Sequence, residues 1–180
     1  MGRHSTGRMS EPRITRRQML AAAGVLSAAG AVGIGVRVGS WWDQDPGAEW
    51  QALSPREAEL FDALADAMFP PGGTPALSGS ESGVTRWFDA VLATQPDPTG
   101  DLIRLLLHAL DDWTRVSTGK SLTGLSVTER GDKLRGWLSA ENHLVRGAVS
   151  SIALFVSMGY AGHPDVREAC GWIWPCGYER

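Results

Sequence analysis

Two Ser-x-x-Glu pairs, Ser54/Glu57 and Ser126/Glu129, each open a stretch where apolar residues recur every three or four positions. Nothing else in the chain restricts its fold as strongly. In such a pair the serine hydroxyl accepts from the glutamate N–H while the glutamate reaches back to the serine N–H, satisfying two orphan donors of a helix start. Pro55 adds a second mark of a first helical turn, where its missing N–H is no loss. From Ser54 the series Leu60, Phe61, Leu64, Ala65 and Met68 predicts a helix, and Pro70-Pro71-Gly72-Gly73 ends it.

The same period continues along the chain. A second helix is predicted from about Val84 to Ala93, with Val84, Trp87, Phe88, Val91 and Leu92 on one face. Asp97-Pro98 opens a third, whose Leu102, Leu105, Leu106, Ala109, Leu110, Trp113 and Val116 keep to one stripe through four turns, the pattern of a core-facing helix. Ser126 starts a fourth, carrying Leu134, Trp137 and Leu138. A fifth spans roughly Asn142 to Tyr160 and is apolar on more than one face, so it is expected to sit centrally; it reads as too short and interrupted to cross a membrane. A short turn around Pro164 to Ala169 comes next. No segment alternates as a strand would. The expected fold is all-α, a single compact domain of about five helices around one core, over residues 54–180.

The N-terminal part of the chain has a different character. Residues 1–18 are basic, with Arg3, Arg8, Arg13, Arg16 and Arg17 against Glu11, and residues 19–36 are uncharged and rich in Ala and Gly. Thr15-Arg16-Arg17-Gln18-Met19-Leu20 stands at the junction, the pattern of a twin-arginine export signal. Its weak hydrophobicity suits that route and makes a poor permanent anchor, since large side chains supply most of the transfer free energy. The expected division is a signal at 1–40, a polar linker at 41–53 and the helical domain beyond. Cleavage after Ser40 and retention as an uncleaved anchor both stay open, so the expected location is periplasmic or otherwise extracytoplasmic, or membrane-associated through the signal.

Charge narrows the partners. The leader holds six of the 17 Lys and Arg and one of the 20 Asp and Glu, which leaves residues 41–180 a formal net charge of −8. A surface of that sign does not suit phosphate backbones, so nucleic acid is not an expected partner.

Residues that could do chemistry are few. His108 lies at the margin of the third helix's stripe and is read as structural, His143 as a solvated residue at a helix start, and His163 as a turn residue. None has the spacing of a zinc, di-iron or covalent haem site. Glu57/Glu59/Asp62/Asp66 and Asp111-Asp112 read as acidic solvated faces. No catalytic or metal-binding residue is therefore assigned. Cys170 and Cys176 are read as a disulfide, with a redox pair or a bond to a partner subunit as alternatives. Trp87, Trp113 and Trp137 read as core, whereas Trp41, Trp42, Trp172 and Trp174 are candidates for docking a partner.

Leu53-Ser54-Pro55-x-Glu57-Ala58, the run Leu64 to Pro70, Thr74-Pro75, Gly83-Val84 and the segment Gly159 to Val166 together resemble the gluconate 2-dehydrogenase subunit 3 family. The likeness is strongest from Ala63 to Val84; the Cys170/Cys176 pair is no assigned feature of the family. The resemblance implies a small subunit without cofactor, which accompanies an exported dehydrogenase. It implies as partners a flavoprotein of the glucose-methanol-choline class holding FAD, often a cytochrome c subunit holding haem c, and the twin-arginine translocase. Such a subunit would be non-catalytic and would help export its folded partner. Two other readings compete: a stand-alone periplasmic or cell-envelope binding protein using the tryptophans near its ends, and an enzyme using His108, His143 or His163.

Overall fold

The computed structural model describes residues 45–95 and 97–172. The export hexapeptide Thr15 to Leu20, Trp41, Trp42, Trp174 and Cys176 lie outside the described residues. Within them run six α-helices and no strand: α1 (Pro55–Met68), α2 (Val84–Ala93), α3 (Asp97–Thr118), α4 (Val127–Leu138), α5 (His143–Gly162) and α6 (Pro164–Ala169), with a 3-10 turn at Leu122–Gly124. The all-α expectation holds.

Both capping boxes form. The Ser54 hydroxyl accepts from Glu57 N–H while Glu57 accepts from Ser54 N–H at 2.7 Å, and Ser126 and Glu129 repeat the arrangement. Helix α1 is the hub. It packs against α2, α3, α4 and α5, and Leu60, Phe61 and Leu64 are almost wholly buried. Phe61 stacks on Phe88 of α2 with ring centroids 3.9 Å apart, and Phe155 of α5 tilts against Phe88 at 5.4 Å.

Helices α2 and α5 approach closely because residue 159 has no side chain. A Cβ there would stand 2.3 Å from Val84 Cγ2 and 2.7 Å from the Trp87 ring. The last residues of the stretch read as a linker are tied down as well: Asp89 of α2 accepts the N–H groups of Gln51, Ala52 and Leu53 at 2.8–2.9 Å, and Leu53 is buried.

Several expectations are corrected. The turn predicted around Pro164 to Ala169 is the short helix α6: Pro164 opens it and the His163 side chain caps it, accepting from Asp165 N–H at 3.3 Å. Helix α5 is not central. It packs on α1, α2, α4 and α6 but leaves Leu144, Leu154 and Met158 more than half exposed. It is also long and apolar enough to cross a membrane by length and composition, with 20 residues and a mean hydropathy of 1.4. Trp137 belongs to the core and Trp87 packs half-buried against it, but Trp113 is 50% exposed.

Candidate docking face

The largest departure concerns α3. Most of its predicted core stripe faces outward: Leu102, Trp113 and Val116 are 65, 50 and 89% exposed, and Ala109 between them is exposed too, while Leu110 alone of the predicted stripe is buried in the core. Leu105 and Leu106 border this stripe half-buried. From residue 102 to 116 the stripe runs about 21 Å along the helix. The inward side of α3 holds Leu107 and Leu110 together with His108, Asp111 and Thr114, all buried.

Ion pairing with α1 sets this orientation. Glu57 in the first turn of α1 is wholly buried, and its Oε1 accepts from Arg104 Nε and His108 Nε2, each at 2.9 Å. Asp111 of α3 answers from the other helix: its Oδ2 accepts from Arg56 at 2.9 Å and Arg115 at 3.0 Å, and its Oδ1 from Leu122 N–H at 2.8 Å. Burial pushes the Glu57 carboxyl up, but the bonds from His108, Ser54 N–H and Arg104 outweigh it and hold it at about 2. At Asp111 burial is likewise overcome, by Leu122 N–H and the two arginines, and the carboxyl is lowered.

Arg104, His108 and Asp111 lie on the side of α3 opposite Ala109. Rolling the helix over to bury the apolar stripe would separate these charges from their partners. An uncompensated buried carboxylate costs several kcal/mol, whereas leaving a few apolar side chains in water costs about 25 cal/mol per Å². The charges win, and the apolar stripe goes to the surface.

This overturns the reading of the acidic residues as solvated faces. Glu57 and Asp111 are buried ties between helices. Asp62 accepts from the Thr85 hydroxyl and Asp66 accepts from Ser80 N–H at 2.8 Å; Glu59 alone of its cluster is exposed. Burial raises the Asp62 carboxyl above the usual range, the neighbouring Asp66 and Glu59 charges adding to it against the bond from Thr85. The Glu57–His108 pair has the composition of an acid–base dyad but is sealed from solvent, at 0 and 1% exposure, so no substrate reaches it. His108 is thus the structural residue expected, and His143 lies exposed at the first residue of α5.

Among the described residues no three His, Cys, Asp or Glu side chains gather as a metal site requires. A hollow of about 450 Å³ beside α4 is lined by Thr118, Lys120, Glu129, Asp132, Lys133 and Trp137, two lysines and two carboxylates among them. Of the proposed docking tryptophans only Trp172 is described, and it is 53% exposed. The α3 stripe was missed because an apolar stripe of helical period is ordinarily the buried side. The available signal was the opposite side, where Arg104, His108, Asp111 and Arg115 recur at helical spacing.

The model of one family, gluconate 2-dehydrogenase subunit 3, matches residues 55–161, more than half of the chain and all of α1 to α4. No curated protein and no solved structure matches.

Proposed function

The chain belongs to the gluconate 2-dehydrogenase subunit 3 family, and on that premise we propose that it is a non-catalytic small subunit that binds a flavin-dependent dehydrogenase and accompanies it, folded, through export. The companion is a glucose-methanol-choline-type oxidoreductase acting on a sugar or alcohol and holding FAD, joined in some complexes by a cytochrome c subunit holding haem c. In this reading residues 1–40 are the twin-arginine signal, 41–53 connect it, and 54–180 bind the companion in the periplasm.

The observation that carries the reading is the outward stripe of α3. A helix that spends its buried side on ion pairs and presents Leu102, Ala109, Trp113 and Val116 to solvent offers what interface cores are made of, aromatic and aliphatic side chains with charges kept to the rim. The family's place as a dehydrogenase subunit supplies the occupant.

The test is Leu102→Glu combined with Trp113→Glu, co-expressed with the companion. Both positions are exposed, so the melting temperature should hold, while the complex weakens by about 30-fold or more, the loss of a central aromatic anchor of about 2 kcal/mol. Unchanged co-elution at matched dilution would remove α3 as the docking face. Dehydrogenase turnover by the purified chain alone would overturn the non-catalytic assignment.

A further inference from the structure

The outer side of α5 has a pattern of its own. Leu144, Gly147, Ser151, Leu154, Met158 and Ala161 follow one another at alternating steps of three and four residues. That is the 3.5-residue repeat which keeps one seam of a helix facing a second helix. Five of the six are exposed, and Ala161 is half-buried. The seam runs about 26 Å along the helix. It is also uncharged: no Asp, Glu, Lys, Arg or His occurs from Gly147 to Gly162.

Three of the six residues are large and three are small, and their order is specific. A two-fold axis across α5 between Ser151 and Leu154 would bring a second copy of the helix alongside in the opposite direction. Leu144 then faces Ala161 of the other copy, Gly147 faces Met158, and Ser151 faces Leu154. Each pairing sets one large side chain against one small one, as interdigitated layers require, and a two-fold interface repeats every contact. Sliding one helix by seven residues in either direction would instead set Leu154 against Leu144 or Met158, with small residues facing small ones.

Charge selects the same occupant. Residues 41–180 carry a formal net charge of −8, so two copies repel each other unless they meet over an uncharged face. A lipid surface is the poorer match, because Gly147, Ser151 and Ala161 have little apolar area to bury in it. Between two helices the same small residues allow close approach.

We propose that α5 is a homodimer interface, on which a second copy of this chain packs antiparallel in this register. One helix face is a small interface, so the dimer is a weak one with a dissociation constant in the micromolar range. This face is separate from the α3 stripe, and the dimer forms without the companion.

Sedimentation equilibrium of the full chain alone tests this, and the mass should rise from one copy to two with concentration. Leu154→Glu places a carboxylate in the seam from both copies and should weaken the dimer by about 100-fold or more; its position is exposed, so the melting temperature should hold. Gly147→Met meets nothing within 4 Å of its Cβ in the chain's own fold, yet sets two large side chains against each other in the dimer and should weaken it by about tenfold. Adding Met158→Ala to Gly147→Met restores a large residue opposite a small one and should recover the affinity. A chain that stays monomeric throughout overturns the proposal, as does a dimer that survives Leu154→Glu and so forms elsewhere. A double variant no tighter than Gly147→Met refutes the register. A monomer that binds phosphatidylcholine vesicles through Leu154 would give the face to a membrane and likewise refute the dimer.

Discussion

Glu57→Gln isolates the group that orients α3. The carboxylate accepts from Ser54 N–H, Arg104 and His108, and is wholly buried. Gln keeps the volume but loses the charge and brings an NH₂ where acceptors are needed, so at least one of the donors on α3 faces another donor. The native carboxyl is held at about 2 against an ordinary 4.5, and at 1.36 kcal/mol per pKa unit this amounts to about 3 kcal/mol in favour of the ionised fold. That agrees with the 3–5 kcal/mol typical of breaking a buried pair.

Urea unfolding followed by tryptophan emission reads the loss. With an m-value of about 2 kcal/mol/M, the midpoint should fall by about 1.5 M. The pH dependence gives a second, independent signature. A carboxyl whose folded pKa lies below its unfolded one stabilises fully above the unfolded value and loses that contribution as pH falls toward the folded value. The gap between the native chain and Glu57→Gln should therefore stay constant above about pH 5 and close progressively as pH falls from about 4.5 to about 2. A loss below about 1 kcal/mol at pH 7, or a gap that does not narrow in acid, would refute the claim that this carboxylate decides the helix's orientation.

Other expectations test other joints of the fold. Gly159→Ala places a methyl group against Val84 and Trp87 where α2 and α5 cross, and should cost about 1–3 kcal/mol in thermal or urea unfolding; a neutral result would mean the two helices separate easily. Asp89→Ala leaves the N–H groups of Gln51, Ala52 and Leu53 without their acceptor; it should cost about 2 kcal/mol and hasten limited proteolysis ahead of α1, and native-like resistance there would contradict it. Arg16→Lys with Arg17→Lys should hold both this chain and its companion in the cytoplasm on cell fractionation; a normally exported companion would remove the carrier role.

Local chemistry made much of the fold legible from the sequence. Ser54, Pro55 and Glu57 mark the start of α1 because their bonds close within four residues, and Ser126 with Glu129 does the same for α4. The α2 boundaries at Val84 and Ala93 came from helical period alone. Where two elements compete for one surface, this kind of reading fails. Trp113 belongs to the more obvious apolar stripe of α3, yet that stripe is exposed because the partners of Glu57 and Arg56 lie on the helix's other side. Glu57 itself was legible as a cap and not as a buried charge, since its second role depends on residues 47 and 51 positions further on.

The sequence by itself thus determined which segments are helical, where most of them begin and end, and that one family's pattern runs through them. These are consequences of backbone bonds and spacing within a few residues. Only the tertiary structure decided which side of α3 and of α5 meets solvent. That choice weighs buried charge pairs between α1 and α3 against apolar area. The cost of parting a buried pair exceeds that of exposing a few apolar side chains, and one dimension of sequence does not show which charges will meet.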